Sequence, residues 1–259
     1  MNHWLTTTDR LLRGGFTRPD DLRQGRIRAP LTALVGLGLG LGAIYGAFMG
    51  LFGILRPENP EPLQLLATTL KVPLLFLLTL VVTFPSLYVV SALANSRLRA
   101  PDTLRLLLVA VAVNLALLAS FGPVTAFFTL STESYPFMVV LNVTFFTIAG
   151  LVGLTFLRRA LAHVFAPSTD LPVEAAHEAS EQAAAAAPAP VAPAKRRKGS
   201  RARRIFAAWT LIYAVVGAQM GWILRPFIGD PRLPLTLFRD RQSNFFAAVL
   251  DALYALVVE

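Results

Sequence analysis

The sequence predicts an all-α, polytopic transmembrane helical bundle of about five spans. Three observations carry that prediction. Five runs contain no Asp, Glu, Lys or Arg: 29–55, 72–94, 106–130, 136–157 and 205–224. Each reaches the roughly 20 residues that cross about 30 Å of hydrocarbon. Only 15% of the chain is charged against 55% hydrophobic residues, whereas soluble domains carry about 25% charge because each element buries a single face. Finally, the basic residues cluster beside the ends of the runs or in one linker, as loops next to a bilayer require.

Met1 to Arg28 holds six arginines and three aspartates and has no apolar core. It reads as a basic cytoplasmic segment (1–28) rather than a cleavable leader. A four-span membrane region (29–165) follows. Arg97, Arg99 and Arg105 lie between the second and third spans, and Arg158 and Arg159 follow the fourth. The excess of Arg places these ends, with the N-terminus, in the cytoplasm of a multi-pass cell-membrane protein. The loops carrying Glu58, Glu61 and Lys71, and then Glu133, are expected outside. In the second region, Glu61–Leu70 reads as a short amphipathic helix that Lys71 and Pro73 separate from the span proper. Pro85 is expected to kink that span, with Thr83 or Ser86 satisfying the freed carbonyls.

Residues 166–204 form an Ala/Pro-rich, basic linker with too little apolar surface to offset its ordering entropy, and a disordered region is expected there. Its last part, 195–204, concentrates Lys195, Arg196, Arg197, Lys198, Arg201, Arg203 and Arg204. Such a run beside a span fixes orientation and suits anionic lipid headgroups. No aromatic residue interleaves with these cations to stack bases, so nucleic acid is not an indicated partner. Residues 205–259 supply the fifth span, a structured loop and a short C-terminal helix. Trp209 and Trp222 mark the two ends of that span as interfacial anchors. Arg225, Asp230, Arg239 and Arg241 make the loop a candidate interaction surface, although its arginines fall outside the cell, against the usual charge bias. Phe245–Val258 is too short to cross, and reads as an amphipathic or re-entrant helix whose narrow small or polar face is Asn244, Ala248, Asp251 and Ala255.

Gly38, Gly42, Gly46 and Gly50 recur every four residues in the first span. This is a glycine zipper, a face without side chains onto which another helix can close. Gly217 and Gly221 repeat the spacing in the fifth span. GAFMG followed by ILRP (46–50, 54–57) returns as GAQMG followed by ILRP (217–221, 223–226). The repeated glycine spacing predicts that the first and fifth helices pack together, or that one of them joins subunits in a homo-oligomer or with a membrane partner, and the shared motif suits parallel repeats about an axis along the membrane normal.

Within the spans the amides are Asn114, Asn142 and Gln219. They either bond between helices and set packing, or line a polar path through a small channel or transporter. His3, His163 and His177 are scattered and cysteine is absent. No P-loop, HExxH or GxSxG motif appears, and no ionisable pair lies within a span. The sequence therefore indicates no catalytic residue, no metal ligand and no cofactor. From Lys71 to Leu157, with KVPLLFLLTLVVTFPSLYVVSAL and the patch Pro85 to Tyr88, the chain resembles bacterial Yip1-type five-span membrane proteins. That resemblance implies a role in membrane organisation without catalysis. The expected function is a non-enzymatic scaffold or accessory subunit of a membrane assembly, with a small channel or transporter as the alternative.

Overall fold

A computed structural model of the chain describes residues 29–55, 62–93, 99–164, 196–223 and 244–258, with Pro60 and a few positions among the first fifteen; within the helices, the side chains of 90–93, 164, 196–207, 222 and 258 fall outside the description. The described residues form six long helices: α1 (Leu31–Ile54), α2 (Pro62–Leu93), α3 (Ala100–Ser131), α4 (Tyr135–Val164), α5 (Arg196–Ile223) and α6 (Phe245–Val258). The protein is a helical membrane bundle. Helices α1 to α4 are each long and apolar enough to cross a bilayer. Large apolar side chains stay exposed on their outer faces, including Leu66 and Leu70 on α2, Phe127 on α3 and Leu151 on α4. Water does not tolerate so continuous an apolar surface, and lipid does.

Helix α1 packs on both α2 and α3, and α4 packs on α3; α5 lies on α2, and α6 touches α4 and, over a shorter stretch, α5. The α1–α2 contact is set by glycines. A Cβ on Gly42 would stand 2.9 Å from the Pro73 Cβ, one on Gly46 2.8 Å from the Thr69 Cα, and one on Gly50 2.8 Å from the Leu65 Cα. These neighbours are mostly backbone and ring atoms, which cannot swing away. As α1 rises from 42 to 50, its partners on α2 descend from 73 to 65, so the pair is antiparallel. Gly38 lies beyond this contact, opposite Leu115 of α3 at an ordinary 3.7 Å. Farther along α1, the Phe48 ring fills the space over Gly122 of α3.

Four expectations change at this level. The fifth predicted span is helical, but among the described residues its apolar part is Ala208–Gly221, so four helices there, not five, meet the length for crossing. Helix α5 begins at Arg196, so the end of the segment expected to be a disordered linker is helical, while 166–195 lies outside the described residues. Arg, Lys and Ala are good helix formers, and the helix they start continues into the apolar run. The zipper does not join the first and fifth helices. Gly217 lies 3.8 Å from Thr79 and Gly221 3.6 Å from Leu75, measured from an added Cβ, so both repeats lean on α2. One helix thus serves two glycine faces, the first at backbone contact and the second at ordinary side-chain contact. Lastly, α2 runs unbroken through Lys71 and Pro73. The missing proline donor removes one ladder bond, yet the helix continues, and Gly42 of α1 leaves the room that the Pro73 ring occupies.

Candidate functional site

The groups able to carry chemistry or recognition inside the bundle are its polar side chains, and each is held by a specific helix contact. Tyr45 projects from α1 into the junction with α4. Its hydroxyl donates to Asn142 Oδ1 at 2.7 Å, and the Asn142 amide nitrogen donates to the Met138 carbonyl at 2.8 Å. The same hydroxyl lies against Thr125 of α3. Tyr45, Thr125 and Asn142 are all buried. Phe146 of α4 closes the space edge-on to Tyr45 at 5.7 Å and stacks with Phe76 of α2 at 6.0 Å. Four helices therefore meet at one polar point sealed by aromatic rings.

Asn114 occupies a different level. Its amide fills the position that a side chain at Gly153 of α4 would take, with Nδ2 2.8 Å from where that Cβ would stand. Asn114 is 4% exposed, and its Oδ1 has no hydrogen-bond partner among the described residues. The approach to a bare Cα leaves room only for a weak Cα–H···O contact. Eleven residues of α4 separate Gly153 from Asn142, which is about 16 Å at 1.5 Å per residue. Gln219 is half-buried on α5. It is two residues from both Gly217 and Gly221, so it points away from α2, on the opposite side of the helix from the glycine contact. The structure thus does not bring Asn114, Asn142 and Gln219 together.

Buried hydroxyls close on their own helices. Thr68 donates to the Gln64 carbonyl at 2.9 Å, Thr79 to Leu75 at 2.8 Å, and Thr129 to Thr125 at 2.9 Å. Thr83 and Ser86 were the expected donors to the carbonyl that Pro85 frees, which belongs to Val81. They bond instead to the carbonyls of Thr79, at 2.6 Å, and Thr83, at 2.7 Å. Ser86 Oγ also accepts the Trp209 indole N–H at 2.9 Å, tying α5 to α2. Trp209 is buried at 3% exposure. It therefore acts as an interhelical donor in place of the expected interfacial anchor, because the hydroxyl one turn beyond Thr83 is within its reach.

At the helix ends, Asp102 in the first turn of α3 accepts from Arg105 Nη1 at 2.9 Å. An acidic residue there also complements the positive end of the helix dipole. Arg158 and Arg159 of α4 are exposed. Lys71, expected in an external loop, is 6% exposed within α2. The loop residues Arg225, Asp230, Arg239 and Arg241 lie outside the described residues, as do the side chains of 195–204 and of Trp222. Among the described residues no group of three or more His, Asp or Glu side chains converges on a point.

No protein-family model, curated protein or solved structure matches the chain. Sequence reasoning did not single out Tyr45, Gly122 or Gly153. Gly122 and Gly153 stand outside any repeating register, and a lone glycine in a membrane helix carries little signal because glycine is common there. Tyr45 lies among the zipper glycines, one position from Gly46, and its hydroxyl needs a partner in an apolar interior. That need was the one available clue.

Proposed function

We propose that this protein is a non-enzymatic integral membrane scaffold or accessory subunit, a closed bundle that offers its outer apolar surface to lipid and to neighbouring membrane proteins. The observation that carries this reading is how the interior amides are used. Asn142 is tied to Tyr45, and Asn114 is wedged against Gly153 about 16 Å away along α4. Aromatic rings at Phe76, Phe145 and Phe146 occupy the bundle near the first of these points. Polar side chains spent on fixing helices at separate levels support packing over conduction. The resemblance to bacterial Yip1-type proteins implies the same kind of role.

The zipper glycines Gly42, Gly46 and Gly50 are already covered by α2, so association with other chains falls to other surfaces. A Cβ on Gly40 or Gly150 would meet nothing within 4 Å among the described residues. These open positions let a helix of another subunit, or of a second copy, approach closely. The test is twofold. Purified protein in liposomes is expected to give no ion flux above protein-free vesicles, and Gly40→Leu with Gly150→Leu is expected to reduce co-purification of membrane partners while the bundle stays folded. A selective flux abolished by Asn114→Leu or Asn142→Leu would replace the scaffold with the channel or transporter reading.

A further inference from the structure

Helix α6 divides its surface three ways. Phe245, Ala248, Val249, Ala252 and Ala255 are partly buried, on the side that packs toward α4 and α5. Phe246, Leu250, Leu253, Tyr254 and Val257 are exposed, Tyr254 at 73% and Val257 at 83%. Between the two faces, along one edge, stand exposed Asn244 and Asp251. Three alanines (Ala248, Ala252 and Ala255) thus turn inward beside Phe245 and Val249, while most of the bulky apolar side chains turn outward, the reverse of a helix on a water-soluble protein. The expected narrow face of Asn244, Ala248, Asp251 and Ala255 is split accordingly, with the alanines inward and Asp251 at the edge.

From this geometry we infer that α6 lies flat in the membrane interface, braced across α4 and α5, with its Phe246–Leu250–Leu253–Tyr254–Val257 face immersed in lipid acyl chains. Asn244 and Asp251 are seven residues apart on the same side of the helix, about 10 Å along its axis. In a steep helix one of the two would sit about 10 Å deeper than the other, leaving an amide or a carboxylate in hydrocarbon, where such groups are costly. In a flat helix both reach water at one depth. The helix has 14 residues, about 21 Å, and falls short of crossing. Contact with both α4 and α5 suits a helix that runs across two upright neighbours. Asn244 Oδ1 caps the first turn, accepting the Ala247 N–H at 2.9 Å. The two helices it packs against expose apolar side chains as well, Ile148, Leu151 and Val152 on α4 and Leu211, Ile212 and Val215 on α5, a surface of the kind that meets lipid in a membrane bundle. That surface is already lipid-facing, so lipid is the occupant.

The chain has no cysteine, so single substitutions report cleanly. Phe246→Cys, Leu250→Cys, Leu253→Cys, Tyr254→Cys and Val257→Cys are each labelled with a fluorophore in full-length protein reconstituted in phosphatidylcholine vesicles. Quenching is then compared between lipids carrying a spin label near the headgroup and lipids carrying it near the acyl terminus. The five positions are expected to be quenched most by the shallow label and to agree within about twofold, since an interfacial helix sits 5–10 Å below the headgroups along its whole length. Asn244→Cys and Asp251→Cys are expected to react with a membrane-impermeant maleimide. Quenching that shifts from shallow to deep along the helix would mean a re-entrant or crossing segment and overturn the inference. Five labels that neither lipid quenches would place protein or water against this face, and would overturn it too.

Discussion

Replacing Gly46 with alanine adds one methyl group where α2 leaves no room. The new carbon would stand 2.8 Å from the Thr69 Cα and closer still to the Thr68 carbonyl. Carbon atoms rest at about 3.5–4.0 Å, so α1 and α2 must separate by about 1 Å at this level. The contacts of Gly42 and Gly50 loosen with it, because a helix moves as a rigid rod. Overpacking of this kind costs about 1–3 kcal/mol. Alanine also favours the helix over glycine, by about 1 kcal/mol in the opposite sense. Gly40→Ala carries that propensity gain without the collision, since a Cβ there meets nothing within 4 Å. The difference between the two variants therefore isolates the packing effect. Equilibrium unfolding in mixed micelles is expected to rank Gly40→Ala above the parent protein and Gly46→Ala about 1–3 kcal/mol below Gly40→Ala. Equal stabilities for the two alanine variants would refute the claim that α1 and α2 meet backbone to backbone.

Other outcomes follow from the same contacts. A double-mutant cycle with Tyr45→Phe and Asn142→Leu, read by the same unfolding assay, is expected to give a coupling of about 0.6 kcal/mol and at most about 1.7 kcal/mol, the mean and maximum for hydrogen bonds between membrane helices; zero coupling would remove the α1–α4 tie. Gly153→Ala should destabilise by about 1–3 kcal/mol through its collision with Asn114. Asn114→Ala should rescue Gly153→Ala in the double variant, and failure of that rescue would show that the two residues do not touch. Trp209→Phe should detach the lower part of α5 from α2. Disulfide trapping between cysteines placed at 217 and 79 would register that loss as slower crosslinking, while unchanged rates would mean that the Trp209–Ser86 bond does not hold the pair.

Much of the architecture can be read directly from the chain because lipid imposes it. Hydrocarbon satisfies no backbone N–H or C=O, so any segment crossing it must be helical and nearly free of charge over a fixed length. Charge-free runs near 29–55, 106–130 and 136–157 accordingly emerge as α1, α3 and α4 with their ends moved by a few residues. The second run is less faithful. Lys71 and Pro73 look like a boundary, yet α2 passes through both, since whether a proline or lysine is tolerated depends on what packs beside it. Gly42 is opposite Pro73, and sequence spacing does not reveal that pairing.

The site residues divide in the same way. Spacing alone groups Gly42, Gly46 and Gly50 on one face, because helical periodicity is local, while the drift of about 40° per four residues carries Gly38 round to α3. It does not show the partner, and the motif shared with Gly217 and Gly221 suggested α1 against α5, whereas both faces lie on α2. Likewise, the amides Asn114, Asn142 and Gln219 are conspicuous in apolar runs. Their separation by level and side follows only once α3, α4 and α5 are set in register.

By itself, then, the sequence determined the solvent of this protein, its helical class and the approximate extent of its spanning segments, because each depends on local composition against the thickness of a bilayer. Tertiary structure alone decided which helices meet, that Tyr45 joins Asn142, that Asn114 fits the bare Cα of Gly153, and that α6 turns most of its bulky side chains outward. Those outcomes depend on close contact between residues tens of positions apart, where a shift of about 1 Å changes the partner's fit.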